Sequence, residues 1–343
     1  MEFLKDYGLA ELTTIKIGGK ADYFCIVHSE QELREAWAKA RQAGWPIMML
    51  GNGSNVVISD AGFQGLVIRN QIMGLEFRPD GEVLVGAGEN WDEVVAASAK
   101  KRLAGIECLS GIPGSAGGGV VQNIGAYGQT LGDVVVRVQA LETATGSMRE
   151  FAAAECNFEY RNSLFKRQSN QYLVTQLTLC LQPNGTPHAE YPEIQKIAKE
   201  RGGLNLEQLR EQILAIRAKK GYLIMPGIDS YNTAGSFFKN PVVGAEKFEE
   251  LKPLLGDQSL NRFWPVANGV KLAAAFLVQE AGFPKGYRTG RVGISPKHAL
   301  SIVNFGGAAS AEVTALAAEI KTAVAAKFGV ELEEEILYIG NFN

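Results

Sequence analysis

The chain has 343 residues, 46% of them hydrophobic and 21% charged, which is enough apolar material for two or three domains and rules out a disordered chain. Its 34 Lys and Arg against 37 Asp and Glu leave a formal charge of −3 without a basic stripe, so the phosphate neutralisation a nucleic-acid partner requires is missing. The most lipid-like run, Val270 to Val278, is broken by Lys271 and falls far short of the roughly 20 residues of a membrane helix; Met1 to Asp6 lacks a basic region followed by an apolar one, and the expected compartment is the cytoplasm.

From the N-terminus, Ala21 to Val27 reads as a strand. Ser29-Glu30-Gln31-Glu32 reads as a capping box that opens a helix to about Ala43, stopped by Gly44. Ile47 to Leu50, then Gly51-Asn52-Gly53-Ser54-Asn55, then Val56 to Ile58 read as strand, turn and strand. Leu66 to Ile68, Val83 to Val85, Val134 to Leu141 and Leu173 to Leu181 add β-rich runs, and Asn90 caps a predicted helix from Trp91 to about Lys101. Between Gly105 and Gly128 lie 8 glycines in 24 residues, against 39 in the whole chain. Such a stretch can bring backbone N–H groups against phosphates, and the interleaved Ile112, Val120, Val121 and Ile124 predict a packed loop.

From Glu190 to Lys220 the pattern is helical, with Leu206, Leu209, Ile213 and Ile216 on one face. A new block begins near Met225-Pro226-Gly227 and ends with an Ala-rich helix from about Ala311 to Phe328, stopped by Gly329. Val330 to Ile339 alternates as a strand that places Glu331, Glu333, Glu335, Leu337 and Ile339 on one face. Cys25, Cys108, Cys156 and Cys180 form no C-x-x-C pair and stand with only three histidines, so they read as reduced core thiols and no metal site is expected. Neither G-x-G-x-x-G nor G-x-x-x-x-G-K-[ST] occurs, so a nucleotide would have to be held by the two glycine-rich devices instead.

Four motifs occur in order: Gly51-Asn52-Gly53-Ser54-Asn55, Gln122-Asn123-Ile124-Gly125-Ala126-Tyr127-Gly128, Tyr160-Arg161-Asn162-Ser163, and Ala234-Gly235-Ser236-Phe237-Phe238-Lys239-Asn240-Pro241. Together with Val270-Lys271-Leu272-Ala273-Ala274 and Leu332-Glu333-Glu334-Glu335-Ile336, they resemble the UDP-N-acetylenolpyruvoylglucosamine reductase (MurB) family over almost the whole chain. The resemblance implies an α+β fold: a two-subdomain FAD-binding region of the vanillyl-alcohol-oxidase (PCMH) type plus a C-terminal α+β substrate-binding domain. The expected divisions are a first FAD-binding subdomain at 1–67, to which a C-terminal strand at 329–343 returns, a second at 68–224 with the connector and a lid segment, and a substrate domain at 225–328.

The same resemblance implies non-covalent FAD, NADPH as co-substrate, and reduction of UDP-N-acetylglucosamine enolpyruvate to UDP-N-acetylmuramate for peptidoglycan. It implies Arg161 as the cation stabilising the charge that spreads into the carboxylate, Ser236 as proton donor and Glu335 as a further stabiliser of the intermediate. Flavin contacts are expected from Gly51, Asn52, Gly53, Ser54, Asn55, Pro113, Gly117, Gly118, Val121, Asn123, Gly125 and Arg217. Substrate contacts are expected from Tyr160, Tyr191, Lys220, Asn240, Trp264 and Glu280, with Tyr191 the lid residue of one subgroup (type I) and Lys220 at the diphosphate. Trp264 stands where some members have tyrosine, Glu280 where glutamine is often found, and Gly221 to Asn232 is longer than in some members. A monomer without nucleic-acid or membrane partners is expected. Two other readings are a flavin oxidase of the same fold acting on a sugar or alcohol, and a non-catalytic sensor of nucleotide sugars.

Overall fold

The structure is a computed structural model and describes residues 1–224 and 232–342. The Met225-Pro226-Gly227 segment, and with it the expected boundary at 225 and most of the extended stretch Gly221 to Asn232, lies outside the described residues. The chain divides into two compact units. The first takes Met1–Gly8, Lys20–Gly53 and Phe63–Ile228; the second takes Leu9–Gly19, Ser54–Gly62 and Asp229–Asn343.

In the first unit, β1 (Leu4–Gly8), β2 (Lys20–Val27), β3 (Ile47–Leu50) and β5 (Phe63–Asn70) form a sheet in the order β1-β2-β5-β3, where β5 runs parallel to both its neighbours. A central parallel strand is covered on both faces, and Leu66, Val67 and Ile68 of β5 are accordingly all buried. Helix α1 (Glu30–Ala43) begins where Ser29 Oγ accepts from the Glu32 N–H, and the Glu32 carboxylate accepts from the His28 N–H. It ends at Gly44 in the left-handed region, φ 71°, as the sequence predicts.

A five-stranded antiparallel sheet follows, ordered β12-β11-β13-β7-β6, from β6 (Leu75–Phe77), β7 (Glu82–Gly86), β11 (Val135–Glu142), β12 (Met148–Ala152) and β13 (Tyr172–Cys180). Helix α2 (Trp91–Lys100), capped by Asn90, buries Trp91, Val94 and Val95 in the core of this sheet, each such side chain stabilising the unit by about 1.5–3 kcal/mol. Within the glycine-rich stretch the chain makes a short helix, α3 (Ala116–Gln122), and a hairpin of β9 (Gly125–Ala126) and β10 (Gln129–Thr130), more regular than the packed loop expected. Strand β8 (Leu103–Ala104) pairs with β14 (Gln182–Pro183), and α4 (Leu164–Arg167) follows the Arg161 turn. The region from Glu190 to Lys220 is two helices, α5 (Pro192–Glu200) and α6 (Leu206–Lys220), the second burying the four predicted positions Leu206, Leu209, Ile213 and Ile216.

The second unit holds β4 (Val56–Ile58), β15 (Asn232–Thr233), β16 (Val242–Val243), α7 (Ala245–Leu255), β17 (Phe263–Val266), β18 (Gly269–Leu272), α8 (Ala274–Glu280), β19 (Arg288–Thr289), β20 (Val292–Ile294), β21 (Ile302–Asn304), α9 (Ser310–Phe328) and β22 (Leu337–Ile339). Its sheets are ordered β15-β21-β20-β19 and β16-β18-β17, with β22 parallel to β4. Helix α9 buries Val313, Leu316, Ala317, Ile320, Val324 and Phe328 and stops at Gly329, φ 61°. The early segment 9–19 is tied into this unit by Thr14 Oγ1 donating to the Thr233 carbonyl (2.6 Å) and by the Asn304 amide donating to the Ile15 carbonyl (3.0 Å).

Two expectations are corrected. Only Leu337–Ile339 of the tail is a strand: Val330, Leu332 and Ile336 bury into the core of the second unit, the residues before β22 make no more than an isolated bridge between Glu334 and Phe238, and continuous pairing begins where β4 is alongside. Of the four cysteines, all free, three are buried but Cys180, at the last position of β13, is exposed. Among the described residues no group of His, Cys, Asp and Glu could hold a metal, and no helix is long and apolar enough to cross a membrane.

Candidate active site

The first glycine device is a turn leaving β3. Gly53 adopts φ 62°, and Arg69 on β5 donates to the Gly51 carbonyl and to Asn52 Oδ1 (2.8 Å). A Cβ on Gly51 would run into Ser115 Oγ, so the absence of a side chain lets this turn meet the second glycine device. Ser115 caps α3, its Oγ accepting from the Gly118 N–H (3.3 Å), and Gly117 packs so closely on Ala87 that a Cβ would stand 2.8 Å from the alanine methyl. The N–H groups of Ala116, Gly117 and Gly119 donate to the carbonyls of Glu89, Ala87 and Ser115. The expectation that this stretch aims its N–H groups at phosphates is therefore corrected for residues 116–119, whose donors are engaged within the protein. Gly118 is exposed on this segment.

Arg161 is held by shape and by hydrogen bonds. The chain folds back between Glu159 and Asn162, which exchange backbone hydrogen bonds of 3.0 and 3.1 Å, and Arg161 takes φ 55°, a strained conformation for a residue with a side chain. Its Nη2 donates to the Gly125 carbonyl at 2.6 Å, and its guanidinium lies 5.3 Å from the ring centre of the exposed Tyr160. Asn123 ties the same region together: its amide donates to the Glu159 carbonyl (2.8 Å) and its Oδ1 accepts from the Gly132 N–H (2.9 Å). Ser163 Oγ donates to the Val121 carbonyl (2.7 Å), and Lys166 Nζ donates to Gln122 Oε1 (2.7 Å). Tyr160, Arg161, Val121, Asn123 and Gly125 thus form one stitched cluster.

A third cluster surrounds Arg217, only 9% exposed on α6. Its Nε is buried without a hydrogen-bond partner in the protein, while Nη2 donates to the Tyr222 carbonyl (3.4 Å). Burial lowers the guanidinium's pKa, against the opposing effect of Tyr127 and Tyr222; burial likewise pushes the Tyr127 phenol up to about 12. A buried cation with an unsatisfied N–H fits an anionic ligand. Gly111 sits beside it, where a Cβ would stand 3.2 Å from that Nε, and the Gly111 N–H donates to Asp92 Oδ1 (2.5 Å). Asp92 receives both arms of Arg210 at 2.5 and 2.7 Å. Tyr191, at the N-cap of α5, meets the Tyr127 ring edge-on with centroids 5.2 Å apart, and Lys220 pairs with Glu193 at 2.7 Å.

Glu107 is 1% exposed, and its carboxylate accepts from the N–H groups of Gly105 (2.7 Å) and His188 (2.8 Å) and from the Gln129 amide (3.1 Å). It links β10 to the segment leading to Tyr191.

In the second unit Ser236 is half-buried after Gly235, φ 84°, and is followed by the buried anchors Phe237 and Phe238. The Phe237 carbonyl accepts from the Glu335 N–H at 2.7 Å, and the Lys239 N–H donates to the Glu333 carbonyl at 2.9 Å, which brings the Ser236 and Glu335 segments side by side. Asn55 holds the other side of Glu335: its amide donates to the Glu335 carbonyl (3.4 Å) and its own carbonyl accepts from Leu337 (3.0 Å). Asn240 Oδ1 accepts from the Ala274 N–H at the start of α8 (3.0 Å), and Trp264 on β17 lies opposite Lys271 on β18. Glu280 is at the other end of α8, about 9 Å of helix rise from Ala274, where it pairs with Lys327 at 3.6 Å. It is not brought together with Asn240.

Sequence reasoning missed Arg69, Asp92, Glu107, Tyr127, Glu193 and Arg210. For Arg69 a signal existed, a cation within the apolar run of a parallel strand; the others are joined only by folding.

Comparison with known proteins gives the family. Residues 228–339 match a family described as UDP-N-acetylenolpyruvoylglucosamine reductase, C-terminal domain, and residues 21–152 match one described as FAD binding domain. The chain is 38% identical to the UDP-N-acetylenolpyruvoylglucosamine reductase of Thermobifida fusca, covering 98% of both chains. It is 39% identical to that of Nocardia farcinica, covering 97% of this chain and 88% of the relative. The crystal structure of the enzyme from Thermus caldophilus superposes with a TM-score of 0.66 at 26% identity, over 99% of this chain and 98% of the other. The chain belongs to the UDP-N-acetylenolpyruvoylglucosamine reductase family.

Proposed function

We propose that this protein is an NADPH-dependent flavoenzyme that reduces UDP-N-acetylglucosamine enolpyruvate to UDP-N-acetylmuramate for peptidoglycan synthesis. The observation that carries the reading is the near-complete match to reductases, combined with a Ser236 segment hydrogen-bonded to that of Glu335. FAD bound there would supply the hydride chemistry that links NADPH to the terminal vinyl carbon of the substrate. The turn Gly51 to Asn55, the segment Pro113, Gly117, Gly118, Val121, Asn123 and Gly125, and the buried cation Arg217 would hold it. The orphaned Arg217 Nε and the close approach of Gly51 to Ser115 fit an extended anionic cofactor.

The protein's own residues do the rest. Charge left on the substrate's α-carbon spreads into its carboxylate, and the planar fork of Arg161, pre-set by its turn and by Gly125, suits that group better than a lysine's point charge. Ser236 Oγ–H gives its proton to that carbon, completing a two-electron reduction of the double bond, and Glu335 stabilises the charge meanwhile. Lys220 binds the diphosphate, Tyr191 closes over the substrate, and Tyr160, Asn240, Trp264 and Glu280 complete the contacts. The protein works as a cytoplasmic monomer; its charge of −3 and lack of a basic stripe support the absence of a nucleic-acid partner.

The test is anaerobic single turnover. After reduction by NADPH, adding the enolpyruvyl substrate should restore flavin absorbance with formation of UDP-N-acetylmuramate. Ser236→Ala should still be reduced by NADPH but should lose about 10²–10⁴-fold in the reoxidation rate. A flavin reoxidised by oxygen alone, with peroxide released, would make the protein an oxidase.

A further inference from the structure

Lys220 is the last residue of α6, before Gly221 at φ 74°, and Glu193 is in the first turn of α5. Each is at the helix end that favours its charge, and the two meet at 2.7 Å. Their side chains remain 37% and 40% exposed, so the pair is weak and exchangeable. Glu193 lies two residues after Tyr191, whose ring rests edge-on against Tyr127. The carboxylate therefore occupies the ammonium from the same segment that would cover a ligand.

We propose that Glu193 is an internal competitor for the anionic group that Lys220 binds, holding the Tyr191 segment down until a diphosphate displaces it. The inference rests on the reading of Lys220 as a diphosphate contact. A diphosphate carries more charge than one carboxylate and so wins the ammonium. Glu193 also repels an incoming anion at short range, so both effects of removing its charge act in the same direction. Exposed pairs of this kind shift an equilibrium by about 1.5- to 5-fold.

The experiment uses FAD-loaded protein and UDP as the probe, at about 20 mM and about 500 mM salt. Glu193→Gln should tighten UDP about two- to five-fold at low salt, with less gain at high salt, and in turnover the gain should appear in KM rather than in kcat. In a Lys220→Met background the same substitution should gain less than in the parent, keeping only the part due to direct repulsion, since the ammonium for which it competes is gone; an equal gain in both backgrounds would overturn the competition. If Lys220→Met weakens UDP binding but Glu193→Gln leaves it unchanged or weaker, the competition is overturned while Lys220 stays on the substrate. If Lys220→Met leaves UDP affinity unchanged, the premise falls and the competition with it. Neither result bears on the reductase reaction, which the single-turnover trace decides.

Discussion

Arg161 carries more of its environment in its backbone than in its side chain. A non-glycine residue at φ 55° persists only where neighbours over-determine it, and here the Glu159–Asn162 exchange and the Gly125 carbonyl do so. Arg161→Lys keeps the charge but loses the fork, so turnover should fall on the order of 10²-fold while the melting temperature stays close to the parent's. Steady-state kinetics beside a thermal melt checks this; an active lysine variant would mean that charge alone suffices. The motif around Arg161 was legible in the sequence, whereas its positive φ was not, since Tyr-Arg-Asn-Ser holds no glycine to signal it. Arg217 was named as a flavin contact, but its orphaned Nε follows from burial by elements far apart in the chain.

At the scale of elements, α2 and α6 are joined by Asp92 and Arg210 across 118 positions of sequence. Burial alone would push the Asp92 carboxyl up, but the Arg210 hydrogen bonds and the Gly111 N–H outweigh it, and the pKa lies below the ordinary value. A depressed folded-state pKa means stability that is complete above the unfolded value, about 4, and is lost as pH falls through the folded one. The urea midpoint of Asp92→Asn should lie below the parent's at neutral pH, by about 1–3 kcal/mol in stability, and the two should converge in acid once the pH has fallen through the depressed folded-state value. A gap that persists there would assign the loss to packing instead. Helices α1, α2 and α9 were predicted to within a residue or two because Ser29, Asn90, Gly44 and Gly329 mark their ends locally. Helix α3 was missed because Gly117, Gly118 and Gly119 oppose a helix, and the Ser115 cap, the burial of Ala116 and Val120 and the packing against Ala87 hold it.

For the molecule as a whole, the last residues complete the core of the second unit. Val330, Leu332 and Ile336 are buried there and β22 pairs with β4, so removing residues 330–343 strips roughly 5–9 kcal/mol of apolar burial. That is comparable to the stability of an entire domain. The truncated chain should lose the cooperative melt of its second unit and become sensitive to limited proteolysis, while Glu335→Gln should melt like the parent and only lose turnover. A truncated chain with an intact second transition would show the tail to be dispensable for folding.

The sequence alone determined the limits of α1, α2 and α9, the longer buried strands, the ordered motifs and hence the family, because caps, glycine stops and apolar periodicity act within a few residues of themselves. Tertiary structure decided which distant groups meet: Gly51 with Ser115, Arg161 with Gly125, Arg217 with Gly111, and Glu335 with Phe237 and Asn55. Those contacts depend on how strands pair and helices pack across 36 to 280 positions of sequence, and no local pattern encodes a hydrogen bond to a backbone carbonyl that folding alone brings near.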